Sequence, residues 1–236
     1  MNRKQQGFTL IEIAIVLVII GLLLGGILKG QELITSARVR NLISQQDGIK
    51  AAFFGFQDRY RALPGDYTQA AANVNGTALN GNGNGQIEIA ATQISGSAVT
   101  EHILVWDHLS HAGFINGAYT LATATGGTEA PENTPQNPYS MFLRLSYDSA
   151  YGDTGTPPVK HNLKSGNQIP ADILAEVDRK VDDGNALRGG FRFSAVSPTG
   201  TAPTAANCYV TATGATQGNW TTIGTVEPNC GGTSLF

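Results

Sequence analysis

The sequence predicts an α+β chain: one long N-terminal helix, apolar in its first half and amphipathic in its second, then a loop-rich body with strands. Three observations carry this. Residues 8–28 are an apolar run with a single charge. Residues 39–60 place apolar side chains three and four apart, the spacing of one helix face. Beyond residue 68, Gly, Asn, Thr and Ala dominate, which favours loops over long regular elements. The formal net charge of −3 leaves no basic surface, so nucleic acid is not an expected partner.

The apolar run comes first. As a helix, its 21 residues span roughly 31 Å, enough for a bilayer core. Arg3 and Lys4 precede it and would stay cytoplasmic, but Lys29, Arg38 and Arg40 follow closely, so charge bias alone does not fix its orientation. The run is too long for a secretory signal peptide, and no small-x-small cleavage site follows it. Glu12 is the odd residue, because a lone carboxylate is costly in lipid and calls for a partner.

Gly7-Phe8-Thr9-Leu10-Ile11-Glu12, behind a short basic leader, resembles the processing site of type IV prepilins and type II secretion pseudopilins. The resemblance implies a pilin-like fold, with the long helix packed on a C-terminal antiparallel sheet joined by long loops. It implies cleavage between Gly7 and Phe8 by a prepilin peptidase, and N-methylation of the new Phe8 amine. Glu12 then has a partner: its own Phe8 amine one turn away, or that of a neighbouring subunit, which the resemblance favours during assembly. A buried pair of this kind would fix axial register. The alternative is a carboxylate that reaches the headgroups from near the interface. Gly21 and Gly25, and Gly26 and Gly30, have the small-xxx-small spacing that lets helices approach closely in lipid. Many type IV pilins carry a proline near the end of this run, and this chain has none there.

The expected division is a leader at 1–7, a transmembrane or filament-core helix at 8–28, its amphipathic continuation at 29–61 and a head at 62–236. Val39, Leu42, Gln46, Ile49, Phe53, Phe56 and Tyr60 make the stripe of the continuation, broken only by Gln46. Leu63-Pro64-Gly65-Asp66 ends it. Asn80, Asn82, Asn84 and Gly85 match part of a calcium loop, with Glu88 as a further oxygen donor. The first position is not Asp, and Ala91 stands where a bidentate Glu belongs, so a flexible turn is the expectation and calcium the weaker reading. No other cofactor is expected.

Residues 101–115 read as a short helix with Ile103, Trp106, Leu109 and Phe114 inward, ended by Gly113. His108 and His111 lack a third ligand for zinc and are expected at the surface or as caps. Residues 141–147 and 189–197 alternate as strands. Residues 169–185 read as a helix from near Pro170 to Gly184, with Ile173, Leu174, Val177 and Val181 inward. Asp178, Asp182 and Asp183 are a second candidate cation site, with Asp182 and Asp183 read first as turn formers. "LPGD", the Trp106 to Gly113 stretch and "RKVDDG" loosely resemble segments of prepilin-like proteins. Many type IV pilins also have a C-terminal disulfide loop, which implies a Cys208–Cys230 bridge in an oxidising compartment. Trp220, between the two cysteines, would pack under it.

There is no Gly-x-Ser-x-Gly elbow, P-loop, His-Glu-x-x-His or dinucleotide fingerprint, so the sequence does not read as an enzyme. The expected role is a structural subunit of a type IV pilus or pilus-like filament. Its alternatives are a minor type II secretion pseudopilin and a membrane-tethered binding domain that never polymerises. The implied partners are other pilin or pseudopilin subunits, prepilin peptidase, an inner-membrane assembly platform and the lipid bilayer. The implied location is a single-pass precursor in the bacterial inner membrane with its C-terminal domain in the periplasm, then a periplasmic or surface filament.

Overall fold

A computed structural model describes residues 9–74, 76, 79–90, 92–94, 97–120, 128–222 and 226–236; for 92–94 and 97–99 it describes the backbone alone. The chain forms two compact units, Met1–Arg38 and Val39–Phe236. Helix α1 (Leu10–Tyr60) contributes to both. In the first unit its apolar side chains are exposed, from Leu10 at 88% to Leu28 at 66%. By length and composition α1 is able to cross a membrane.

In the second unit α1 buries Val39, Leu42, Gln46, Ile49, Ala52, Phe53 and Phe56. This is the expected stripe, with Ala52 added and Tyr60 half-buried. Leu63-Pro64 prevents another helical turn, and Arg61 adopts a left-handed conformation (φ 52°) just past the helix end. There follow α2 (Ala70–Asn73), a hairpin of β1 (Thr92–Ile94) and β2 (Ser97–Val99), and α3 (Glu101–His111). Next come β3 (Arg144–Asp148), β4 (Lys160–Lys164), α4 (Ala171–Val181), β5 (Phe191–Phe193), α5 (Ala205–Cys208) and β6 (Gly232–Leu235).

The main sheet is antiparallel, in the order β3-β4-β6-β5. It joins both expected strands, the first shifted to Arg144–Asp148 and the second shortened to Phe191–Phe193, to two that alternation did not reveal. Two apolar clusters fill the unit. Ile49, Phe53 and Phe56 of α1 meet Val105, Trp106 and Leu109 of α3 and Leu145 and Leu163 of the sheet. Val39 and Leu42 meet Ile173, Leu174 and Val177 of α4 and the half-cystines Cys208 and Cys230.

Two local expectations need correction. Val181 is 43% exposed, and Asp178 is fully buried beside the apolar residues of α4. On α3, every residue from Glu101 to Leu109 is buried, so the helix is enclosed on all sides instead of along one stripe.

Candidate functional site

The apolar helix begins with a reciprocal cap. The Glu12 backbone N–H donates to Thr9 Oγ1 at 3.3 Å, and Glu12 Oε2 accepts from the Thr9 backbone N–H and hydroxyl, each at 2.7 Å. This is a capping box, with Thr9 as N-cap and Glu12 three residues on. The Thr-x-x-Glu spacing is its sequence signal. The carboxylate thus has a task inside its own helix end. Gly7 and Phe8, the expected processing residues, lie outside the described residues.

Gly21, Gly25, Gly26 and Gly30 follow on the exposed helix. A Cβ added at any of them would meet nothing within 4 Å among the described residues. None has the positive φ that demands glycine. Each costs the helix about 1 kcal/mol relative to alanine.

In the head, Asp66 organises the asparagine-rich loop. Its carboxylate accepts the backbone amides of Gly83 (2.5 Å), Asn84 (3.0 Å) and Gly85 (2.8 Å). Glu101, fully buried at the start of α3, accepts the amides of Asn82 (2.9 Å) and Glu88 (3.2 Å). Burial, with the nearby Asp66 and Glu88 charges adding, pushes Glu101 up to about 7 against those hydrogen bonds. The calcium candidates have other partners. Asn80 Oδ1 accepts Ala71 N–H, Asn82 Oδ1 accepts Asn84 N–H and Asn84 Oδ1 accepts Gln86 N–H, at 2.8–2.9 Å. Asn82 Nδ2 donates to Glu88 at 2.7 Å. The loop expected to be flexible is therefore tied to Asp66 and Glu101. Neither of those two emerged from the loop's own spacing, and "LPGD" was the one available hint.

The turn before Asp66 is locked to α3. Gly65 has φ 88°, and a Cβ there would lie 2.7 Å from the Glu101 carbonyl, so the turn requires glycine. Its N–H donates to His108 Nδ1 at 2.9 Å, and His108 Nε2 lies 3.2 Å from the Leu79 carbonyl. A neutral ring protonated on Nε2 satisfies both bonds. His108 is fully buried and stacked on Phe56, and burial pushes its pKa down to about 4. It is an interior clamp, which corrects the surface or capping expectation. His111, half-buried, pairs with Asp107 at 2.7 Å.

At the other end of the head, Cys208 and Cys230 form a disulfide. Trp220 is buried within the loop it closes, and its Nε1–H donates to Asp178 Oδ2 at 2.7 Å. Burial pushes Asp178 up to about 6; Trp220 opposes the rise, and Asp183 and Asp182 add to it. Carboxylate oxygens of Asp178, Asp182 and Asp183 lie within 4.8 Å of one another, so these three are brought together. Asp182 also accepts the amides of Gly190 and Phe191, and Asp183 that of Asn185 at 2.9 Å, so both shape the turn after α4.

A capped apolar helix of membrane length followed by an α+β head defines a class of protein: a folded head behind a helix able to serve as a membrane anchor. The comparison with known families makes this more specific. Residues 2–28 match the family model described as the prokaryotic N-terminal methylation motif, the signature of prepilin-type cleavage and methylation. The N-terminal segment is thus that of a type IV pilin- or pseudopilin-like precursor, and its apolar helix suits membrane anchoring. No curated protein and no solved structure matched the chain.

Proposed function

We propose that this chain is a structural subunit of a type IV pilus or pilus-like filament. The observation that carries the reading is the prepilin-type signature on residues 2–28, placed on a helix whose apolar run is uncovered. In this reading prepilin peptidase cuts between Gly7 and Phe8 on the cytoplasmic side, and the Phe8 amine is methylated. The precursor spans the inner membrane once, with its head in the periplasm. An assembly platform then draws the helix from lipid into a fibre, where the helices of other subunits cover it.

Glu12 has two roles in sequence. It caps its own helix with Thr9, and in the fibre it accepts the cationic amine of a neighbouring subunit, a charge-assisted bond favoured by the dry surroundings. Gly21, Gly25, Gly26 and Gly30 leave room for those neighbours.

The test is made in cells that express the full precursor, its peptidase and the assembly machinery. Sheared and purified fibres should contain a chain that begins at methylated Phe8. Glu12→Ala should still be processed but be missing from the fibres. Entry of the Glu12→Ala chain at the wild-type level would remove the assembly role of Glu12. A processed chain found only in membranes would favour a tethered binding domain.

A further inference from the structure

The head buries a lysine in a setting suited to covalent chemistry. Lys164, at the end of β4, is fully buried, as is Asn162, two residues earlier on the same face of the strand. The Lys164 ammonium donates to Asp148 Oδ1 at 2.8 Å and is in hydrogen-bond contact with Asn162 Oδ1. The same Asp148 oxygen accepts Asn162 Nδ2–H at 3.1 Å. One carboxylate oxygen therefore bridges an amine and the nitrogen of the carboxamide beside it. The Thr233 hydroxyl donates to Asn162 Oδ1 at 3.0 Å and polarises the carbonyl.

We propose that Lys164 Nζ and Asn162 Cγ join in an isopeptide bond, with Asp148 as the proton carrier. The lysine ammonium passes a proton to Asp148, and the Nζ lone pair attacks Cγ. The carbonyl electrons move onto Oδ1, held by the Thr233 hydroxyl. As they return, the Cγ–Nδ2 bond breaks, and Nδ2 takes up the protons released by Nζ through Asp148. Ammonia leaves with the proton the lysine first carried, as ammonium. Asp148 ends as the carboxylate it began as. Nothing is oxidised, and no co-reactant is needed.

The surroundings favour each step. The register places Arg144, Lys164, Thr233 and Arg192 in one row across the sheet, so two guanidinium groups share the face of the amine. Arg144 is paired to Glu129 and Arg192 to Asp153, which leaves Asp148 to the lysine. Burial, with Arg144 adding, pulls the Lys164 pKa below the ordinary lysine range, against the pull of Asp148. The Ser146 hydroxyl fixes the second Asp148 oxygen at 2.7 Å. Groups held in contact within a strand react as one molecule, without the entropy cost of meeting. The product also replaces a buried ammonium by a neutral amide, removing its desolvation cost.

The test is mass spectrometry on the purified full chain, denatured and with the disulfide accounted for. The expected mass is lower than the sequence mass by one ammonia. Trypsin should fail to cut after Lys164, and fragmentation should place the loss in the peptide that holds Asn162 and Lys164. Asp148→Ala and Lys164→Arg should each restore the full mass, a readout that needs no folded protein. Full mass in the wild type would overturn the proposal. So would loss of water, which would mean a Lys164–Asp148 bond, or an ammonia loss placed at the Asn–Gly pairs of residues 80–85.

Discussion

Trp220→Phe removes the indole N–H and part of the ring system from a buried site; the packing loss is the same at every pH, so the pH dependence isolates the bond. The lost bond is to the Asp178 carboxylate at 2.7 Å, and bonds to charged groups contribute about 1.5–3 kcal/mol. The size of the loss depends on pH. Burial raises Asp178 from 3.8 to about 6 in the folded chain. A carboxylate whose folded pKa lies above its unfolded value weakens the fold as pH rises through that window. The Trp220 donor restrains this rise, so without it the folded pKa climbs further and the cost at high pH grows. At pH 5 the acid is mostly protonated in the folded state of both proteins, and the missing donor matters less. Beyond the packing loss common to both, the expected destabilisation is greater at pH 8 than at pH 5 by about 1 kcal/mol. The assay is urea unfolding of the oxidised full chain in detergent at both pH values, followed by far-ultraviolet circular dichroism. An equal loss at pH 5 and pH 8 would show that packing, and not the carboxylate, sets the role of Trp220.

Three further outcomes are expected. Gly21→Leu with Gly25→Leu should leave the free precursor at least as helical, because nothing among the described residues lies near those positions, yet should exclude it from fibres; normal entry into fibres would refute the packing role. Gln46→Met should raise the unfolding free energy by about 1–2 kcal/mol, since the Gln46 amide is buried with no hydrogen-bond partner among the described residues; a drop in urea midpoint would refute this. Reduction of Cys208–Cys230, which are 22 residues apart in sequence, should cost about 3 kcal/mol, read as the shift between unfolding curves with and without dithiothreitol; coincident curves would show that the fold does not depend on the bridge.

What could be read from the sequence was local or periodic. The stripe from Val39 to Phe56 was legible because a helix with one covered face writes its burial at a 3.6-residue period. Gly7-Phe8 to Glu12 was legible because its chemistry lies within six consecutive residues. β4 escaped notice because "KHNLK" carries a polar network on one face, so no apolar alternation marks it. α3 gave a poor outline because it is buried on all sides, and His108 reads as polar although a turn 43 residues earlier in the chain satisfies it. Asp178 is buried because Trp220, 42 residues away, supplies a donor, and no pattern within α4 encodes that.

The two parts of α1 obey the same rule with different outcomes. From Val39 onward, the large apolar side chains of the stripe are covered by the chain itself. From Leu10 to Leu28 the large ones are exposed, which suits a run placed in lipid or, in the proposed fibre, against other helices. Lipid alone would be served as well by alanine or leucine as by glycine, and the helix would be firmer by about 1 kcal/mol at each replaced position. Four glycines in ten residues, with nothing among the described residues near their missing side chains, fit a surface that other helices approach closely. The capping box adds to this argument. It holds Glu12 in the first turn of the helix, and in the proposed fibre that same carboxylate is the acceptor for the amine that cleavage after Gly7 would create.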